Sequence, residues 1–208
     1  MVQRGNLRGL KSDGETLALQ MVISGVGGQG VLLMTRIFAD LAVRAGLPLI
    51  GSEDHGMSQR GGSVLTHLKI GPFSSPLVKK GGADLLLSLE KNEALKTLPF
   101  LRPGADGRPG GLGFVNVPGR GDLPPSILTC LEEQGIEVRP FGADQVAREM
   151  GSLQSANVAL VGFASAHPRF PFPPEEVRRT LERTTPPRFL EVSLRIFDLS
   201  LQEGRRPV

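Results

Sequence analysis

From residue 17 onward the chain alternates short, nearly continuous apolar runs with longer stretches in which apolar residues recur every three or four positions. Residues 17–24 form such a run and end in glycines, the pattern of a strand buried on both faces. Residues 29–45 have helical spacing. Leu33, Ile37 and Leu41 recur four apart beside Val31, Phe38 and Ala42, and Gly46 supplies a stop. Residues 47–50 predict a second strand. Strand, glycine turn, helix and strand within about 35 residues make the βαβ unit of a parallel sheet, with a right-handed crossover.

Residues 63–70 and 84–89 predict two more strands, with a short helix over 92–98. The glycines and prolines of 99–113 predict a surface excursion. A strand over 114–117 follows, then a helix opened by Pro124-Pro125 and stopped by Gly135, and a last strand over 136–139. Beyond it the period is helical: 144–150, 156–166, 175–183 and 189–201, with a Pro- and Phe-rich extended connection over 167–174. There is no internal repeat. The pattern predicts an α/β fold: a Rossmann-like, doubly wound, mostly parallel sheet with a helical C-terminal third. It forms one domain over 17–201, between a loose tail at 1–16 and a C-terminal tail at 202–208.

Composition narrows the chemistry. The 208 residues include ten Phe but no Trp and no Tyr, so the core is aliphatic and stacking platforms for bases are scarce. The net charge of +3 is spread over short clusters such as Lys79-Lys80, Arg178-Arg179 and Arg205-Arg206 rather than a stripe, which argues against nucleic acid. The single cysteine, Cys130, excludes an iron–sulfur cluster held by this chain alone, which takes about four thiolates. Lying in the apolar pattern of 127–131, Cys130 reads as a buried small hydrophobe. No disulfide can form within the chain, which suits a reducing compartment. The polar first fifteen residues do not read as a signal peptide, and no apolar run approaches the ~18 residues of a membrane span. A soluble, cytoplasmic protein is expected.

Two segments carry candidate chemistry. Gly25-Val26-Gly27-Gly28-Gln29-Gly30 follows a strand and opens a helix, satisfying the G-x-G-x-x-G pattern in its required context. Its glycines let the backbone turn tightly, and the helix-start N–H groups attract an anion. The same glycines serve a purely structural turn equally well. A nicotinamide site also wants an acidic residue at the end of the second strand, and Glu53 is expected beyond that strand's end.

Residues 51–63 form the second segment, a polar, glycine-bearing loop after the carboxyl end of a strand, where open α/β sheets place ligand crevices. Within eight residues it brings Glu53, Asp54, His55 and Arg60 together. Solvated loops often have this composition; the length and glycine spacing here point to function.

Gly25-Val26-Gly27-Gly28-Gln29-Gly30-Val31, followed by His55-Gly56-Met57-Ser58-Gln59-Arg60-Gly61-Gly62-Ser63, resembles the gamma-type subunits of 2-oxoacid:ferredoxin oxidoreductases. The second wording is most similar to the beta subunit of the indolepyruvate-specific members. Gly81-Gly82-Ala83-Asp84, Glu90 with Glu93, and Gly151 through Asn157 to Gly162 extend the resemblance over residues 21–201. The chain departs from the family in a Gly- and Pro-rich insertion at 102–113, and in Val192-Ser193-Leu194 where an asparagine is common.

The resemblance implies an accessory subunit for coenzyme A-dependent oxidative decarboxylation of indolepyruvate or another aryl-2-oxoacid. Thiamine diphosphate, magnesium and iron–sulfur clusters would lie in a large partner subunit, which passes electrons to ferredoxin. Ala105-Asp106-Gly107 lacks the asparagine of a thiamine–magnesium motif, and no metal is expected on this chain. The implied cofactor-binding residues are Gly27, Gly28, Gln29, Gly30, Ser58 and Arg60, with the glycines keeping the backbone close to an anion such as coenzyme A or to the partner subunit. Arg60 would pair a phosphate or carboxylate, and His55 would donate a hydrogen bond or carry a proton. His67 and His167 are expected to be structural. Phe163, Phe170, Phe172 and Phe189 are candidates for a partner-facing surface or for the domain's own core. The competing readings are a free-standing NAD(P)-dependent dehydrogenase or nucleotide-binding Rossmann-like protein, and an idle adaptor.

Overall fold

In the computed structural model, which describes residues 17–55, 61–105, 107–118 and 123–206, the apolar runs become one six-stranded sheet. Its centre is β1 (Leu19–Val26), paired antiparallel with β3 (Ser63–Ile70) on one side and parallel with β4 (Leu85–Ser88) on the other. β5 (Leu112–Asn116) and β6 (Glu137–Phe141) continue in parallel beyond β4, and β2 (Leu49–His55) closes the other edge against β3. The order is β2-β3-β1-β4-β5-β6, and only β3 runs against the rest.

Two expectations are corrected here. The predicted βαβ unit is split, because β3 inserts between β1 and β2. The second strand also does not stop at residue 50. Gly51 through His55 stay in strand, with Glu53 opposite Thr66 and Asp54 opposite Leu65. At a sheet edge the ladder needs only one bonded neighbour and the other side meets water, so the polar residues 52–54 fit as well as apolar ones. Gly51 packs close beneath the His67 carbonyl, only 3.1 Å from where a Cβ would stand.

The helices fall on both faces, as strand alternation dictates. Met21 and Ile23, with Leu85 and Leu87, face α1 (Val31–Arg44) and α5 (Ala156–Ser165); Val22 and Leu86 face the opposite core beneath α3 (Pro125–Glu133). The short α2 (Lys91–Thr97) also belongs to that second face, with Ala94 against Val115. α5 is buried on every side, which its sequence, apolar but for Asn157 and Ser165, predicts. α7 (Pro187–Gly204) covers it at close range: the backbone of Phe197 would meet a Cβ on Gly162 at 2.6 Å. α6 (Pro174–Thr184) packs on α1, and α4 (Ala143–Glu149) completes the layer.

The phenylalanine rings serve this core. Phe163, Phe170 and Phe172 are buried; Phe38 lies 5.6 Å from Phe172, and Phe141 stacks on Phe163 at 4.1 Å. They therefore do not form a partner surface, and each fully buried ring contributes about 1.5–3 kcal/mol. Phe189 is half-buried, with the Arg188 guanidinium over its ring. Cys130 is exposed, contrary to expectation, because α3 turns Leu131 and Ile127 inward and leaves position 130 toward solvent. No described helix is long and apolar enough to cross a membrane.

Both described histidine side chains are structural. His67 Nδ1 accepts the Val78 N–H at 3.3 Å, while His167 Nδ1 accepts from Arg169 N and Nε2 meets Glu137 at 3.1 Å. Burial pushes both pKa values down, more than nearby Asp54 and Glu137 push them up. Lowered folded values mean that the unfolded chain takes up protons first on acidification. Their contribution is thus complete above the ordinary histidine value of about 6.5 and is lost as pH falls below it. The melting temperature should fall between pH 7.5 and 5.5, and His67→Gln with His167→Gln should flatten that slope. An unchanged slope in the double variant would contradict the assignment.

Candidate functional site

The carboxyl ends of the parallel strands gather the segments singled out in the sequence. β1 ends at Val26 and turns through Gly27, Gly28, Gln29 and Gly30 into α1. Gln29 braces the turn from within: its Oε1 accepts the Val26 N–H at 2.9 Å, and its own N–H returns to the Val26 carbonyl. Gly28 (φ +99°) and Gly30 (φ +86°) occupy the left-handed region that favours glycine. Among the described residues, a methyl added at Gly28 would meet nothing within 4 Å, whereas at Gly30 it would stand 2.0 Å from Asn157 Nδ2. Gly30 is closed against Asn157, whereas no described residue stands over Gly28.

Asn157, in the first turn of α5, is 3% exposed and donates to the Gln29 carbonyl at 3.2 Å. It ties the glycine turn to the central helix. The sequence marked Asn157 only through resemblance; a buried asparagine in an otherwise apolar helix was the available signal, because such an amide requires partners. Among the described residues, nothing accepts from the N–H groups of Gly28, Gly30, Val31 or Leu32. These donors at a helix N-terminus suit an anion.

The second segment meets the first. The Gly27 N–H donates to the Gly62 carbonyl at 2.9 Å, and the β1–β3 ladder sets Val26 opposite Ser63. The described end of that segment, Gly62 and Ser63, therefore lies against the glycine turn. His55 ends β2, while Ser58 and Arg60 lie outside the described residues, as does the His55 side chain. Gly51, Ser52, Glu53 and Asp54, expected in the loop, belong to the strand instead.

Glu93 anchors the loop's far end. It is 6% exposed, and its carboxylate accepts from Ser63 Oγ and from Lys96 Nζ at 2.6 Å. Burial raises its pKa, but those hydrogen bonds and the Lys96 charge outweigh burial and hold it below the usual carboxylate range. Glu90 caps the same helix by accepting the Glu93 N–H at 2.9 Å. Beneath them, the Ser24 hydroxyl meets Ser88 Oγ at 2.8 Å and Thr97 Oγ1 at 3.0 Å, a buried polar chain that joins β1, β4 and α2. At the rim, Leu32 (44% exposed) and Leu153 (54%) present apolar side chains at the starts of α1 and of the turn into α5.

This edge offers a backbone cradle for an anion, a braced loop and an apolar rim. Among the described residues no group of three or more His, Cys, Asp or Glu could hold a metal ion. A single cysteine also cannot supply a cluster's thiolates. The topology disfavours a dinucleotide as well. With β3 inserted, β2 and its Glu53 stand two strand spacings from β1, roughly 10 Å, instead of next to the glycine turn.

Residues 20–203 match the pyruvate ferredoxin/flavodoxin oxidoreductase family. Indolepyruvate oxidoreductase subunit IorB of Archaeoglobus fulgidus is 33% identical over 201 residues, covering 90% of this chain and 96% of that protein. Subunit IorB of Methanothermobacter thermautotrophicus is 33% identical over 183 residues, 84% of this chain and 92% of that one. In fold, the chain is similar to the gamma subunit of a keto/oxoacid ferredoxin oxidoreductase from Geobacter sulfurreducens. The TM-score is 0.67 at 22% identity, over 89% of this chain and 98% of that one. A 2-oxoglutarate:ferredoxin oxidoreductase chain from Magnetococcus marinus gives a TM-score of 0.69 at 19% identity, over 92% of this chain but only 31% of that one. The chain belongs to the pyruvate ferredoxin/flavodoxin oxidoreductase family.

Proposed function

We propose that the chain is the gamma-type accessory subunit of a 2-oxoacid:ferredoxin oxidoreductase, acting on indolepyruvate or another aryl-2-oxoacid. It would complete the site of a larger subunit that carries thiamine diphosphate, magnesium and iron–sulfur clusters. There the oxoacid loses carbon dioxide, its acyl group passes to coenzyme A, and the electrons leave through the clusters to ferredoxin. The observation that carries this reading is the family match over residues 20–203, with relatives named as indolepyruvate oxidoreductase subunits.

The geometry supports a binding role for this chain. The open Gly28 and the unmet N–H groups beside it suit a coenzyme A phosphate. Gly27, Gln29 and Gly30 hold the turn in place. We assign Ser58 and Arg60 to the same anion, and His55, at the end of β2, to proton donation or transfer. The exposed Leu32 and Leu153 would be covered by the large subunit. Ferredoxin would dock on that subunit, and the assembly would work in the cytoplasm. The free-standing dehydrogenase loses ground to the β3 insertion, which separates Glu53 from the glycine turn.

Coexpression with a thiamine-type chain rich in Cys-x-x-Cys should give a brown hetero-oligomer on size exclusion, and this chain alone should be colourless. Separate elution at micromolar concentration would contradict the subunit reading.

A further inference from the structure

The sheet edge opposite the glycine turn also holds a cavity, of about 390 Å³. Its floor is apolar: Leu19, Leu85 and Leu112 are the first residues of β1, β4 and β5. Arg102, Arg108 and Arg169 line it as well, with Asp84 the one carboxylate among the described residues.

Much of one wall comes from residues 102–112, and this segment is tightly built. The Gly104 and Gly110 N–H groups donate to the carbonyls of Gln134 and Gly135, and Gly111 N–H donates to Arg102. A Cβ on Gly110 would lie 2.6 Å from the Gly135 carbonyl oxygen, and one on Gly111 would lie 2.6 Å from that of Ala83. The glycines thus serve close backbone packing that fixes the arginines' positions. Ala105 and Arg108 exchange backbone hydrogen bonds in a tight turn that presents Arg108.

The charges do not cancel. Asp84 is committed, accepting from Gln20 N at 2.9 Å and from Arg102 Nε at 3.1 Å. Arg169 bonds Glu137 and the Gly110 carbonyl. Arg108 has no ion-pair partner among the described residues. One guanidinium is left beside an apolar floor. A cavity of this size is at the small end for ligand sites, too small to enclose a dinucleotide or coenzyme A.

We propose that this cavity is a second ligand site, for a small monocarboxylate with an apolar body, whose carboxylate pairs with Arg108 and whose body lies on Leu19, Leu85 and Leu112. Arg fits this task because its planar fork takes both carboxylate oxygens. The site lies wholly on this chain, so its test needs no partner subunit and is independent of the oxidoreductase reading; its failure would leave turnover by the complex untouched.

The chain has no Trp and no Tyr, so indole fluorescence from a ligand is read without background. Fluorescence anisotropy of indole-3-acetate should show saturable, one-site binding to the full-length chain. Octanoate should compete, and the uncharged indole-3-acetamide should not. Arg108→Ala should weaken binding at least tenfold and Arg108→Lys by less, with melting temperatures unchanged because Arg108 is exposed. Arg36→Ala, an exposed arginine on α1, should leave binding unchanged. Non-saturable binding, equal competition by the acetamide, or wild-type affinity in Arg108→Ala would each overturn the site.

Discussion

Gly30→Ala is expected to lower the melting temperature by on the order of 10 °C, while Gly28→Ala lowers it by only a few degrees. Both positions have positive φ, which costs a non-glycine residue roughly 1–2 kcal/mol. They differ in what a methyl would meet. At Gly28 it meets no described residue, so the backbone term is the whole cost counted. At Gly30 it would stand 2.0 Å from Asn157 Nδ2 and push that amide off the Gln29 carbonyl. A buried amide without a partner costs about 1–3 kcal/mol more. The sum, about 2–5 kcal/mol, converts at roughly 2–4 °C per kcal/mol for a domain of this size. Thermal denaturation of the two variants decides the matter, and equal shifts would show that Asn157 does not brace the turn. Activity should rank them differently. Gly28→Ala leaves the chain folded, so any loss of turnover it causes in the complex beyond its loss of stability reports a group that approaches the open face of the turn.

The core was legible in the sequence where period and burial coincide. Residues 63–70 match β3 at both ends, and the runs holding Met21 to Ile23 and Leu85 to Leu87 are strands with side chains in both cores. The β1–α1 glycine turn was legible because few other residues can adopt the φ of Gly28 and Gly30. Strand order was not, since the insertion of β3 between β1 and β2 is set by pairing across the sheet and leaves no local trace. Residues 51–54 misled because polarity marks exposure, and an edge strand is exposed as a loop is. Phe163, Phe170 and Phe172 left two readings open, because an apolar residue does not say which apolar surface it meets; the structure takes the core. Of the candidate site, residue types were readable but not the bonds that join them. Gly27 to Gly62, Asn157 to Gln29 and Ser63 to Glu93 link positions far apart in the chain.

Replacing Arg60 by Lys should slow acyl-coenzyme A formation by the assembled enzyme roughly 10- to 100-fold with little effect on this chain's stability. In sequence Arg60 stands between Gln59 and Gly61-Gly62, two residues before the Gly62 carbonyl that accepts from the glycine turn. Lys keeps the charge but loses the planar fork that matches phosphate or carboxylate oxygens in pairs. Hydrogen bonds to charged groups are worth about 1.5–3 kcal/mol, which is the loss expected if Arg60 holds coenzyme A or substrate. An exposed structural ion pair would be worth only about 0–1 kcal/mol. A large melting shift with a proportionate fall in activity would assign Arg60 to folding instead.

The same assay, with one more arm, addresses the whole account. Acyl-coenzyme A formation from indolepyruvate, with ferredoxin as acceptor, is measured for the large subunit alone, for this chain alone, and for the two combined. Substantial turnover only in the combination, reduced by Arg60→Lys, is the predicted result. Full turnover by the large subunit alone, or any by this chain alone, would contradict the accessory-subunit assignment.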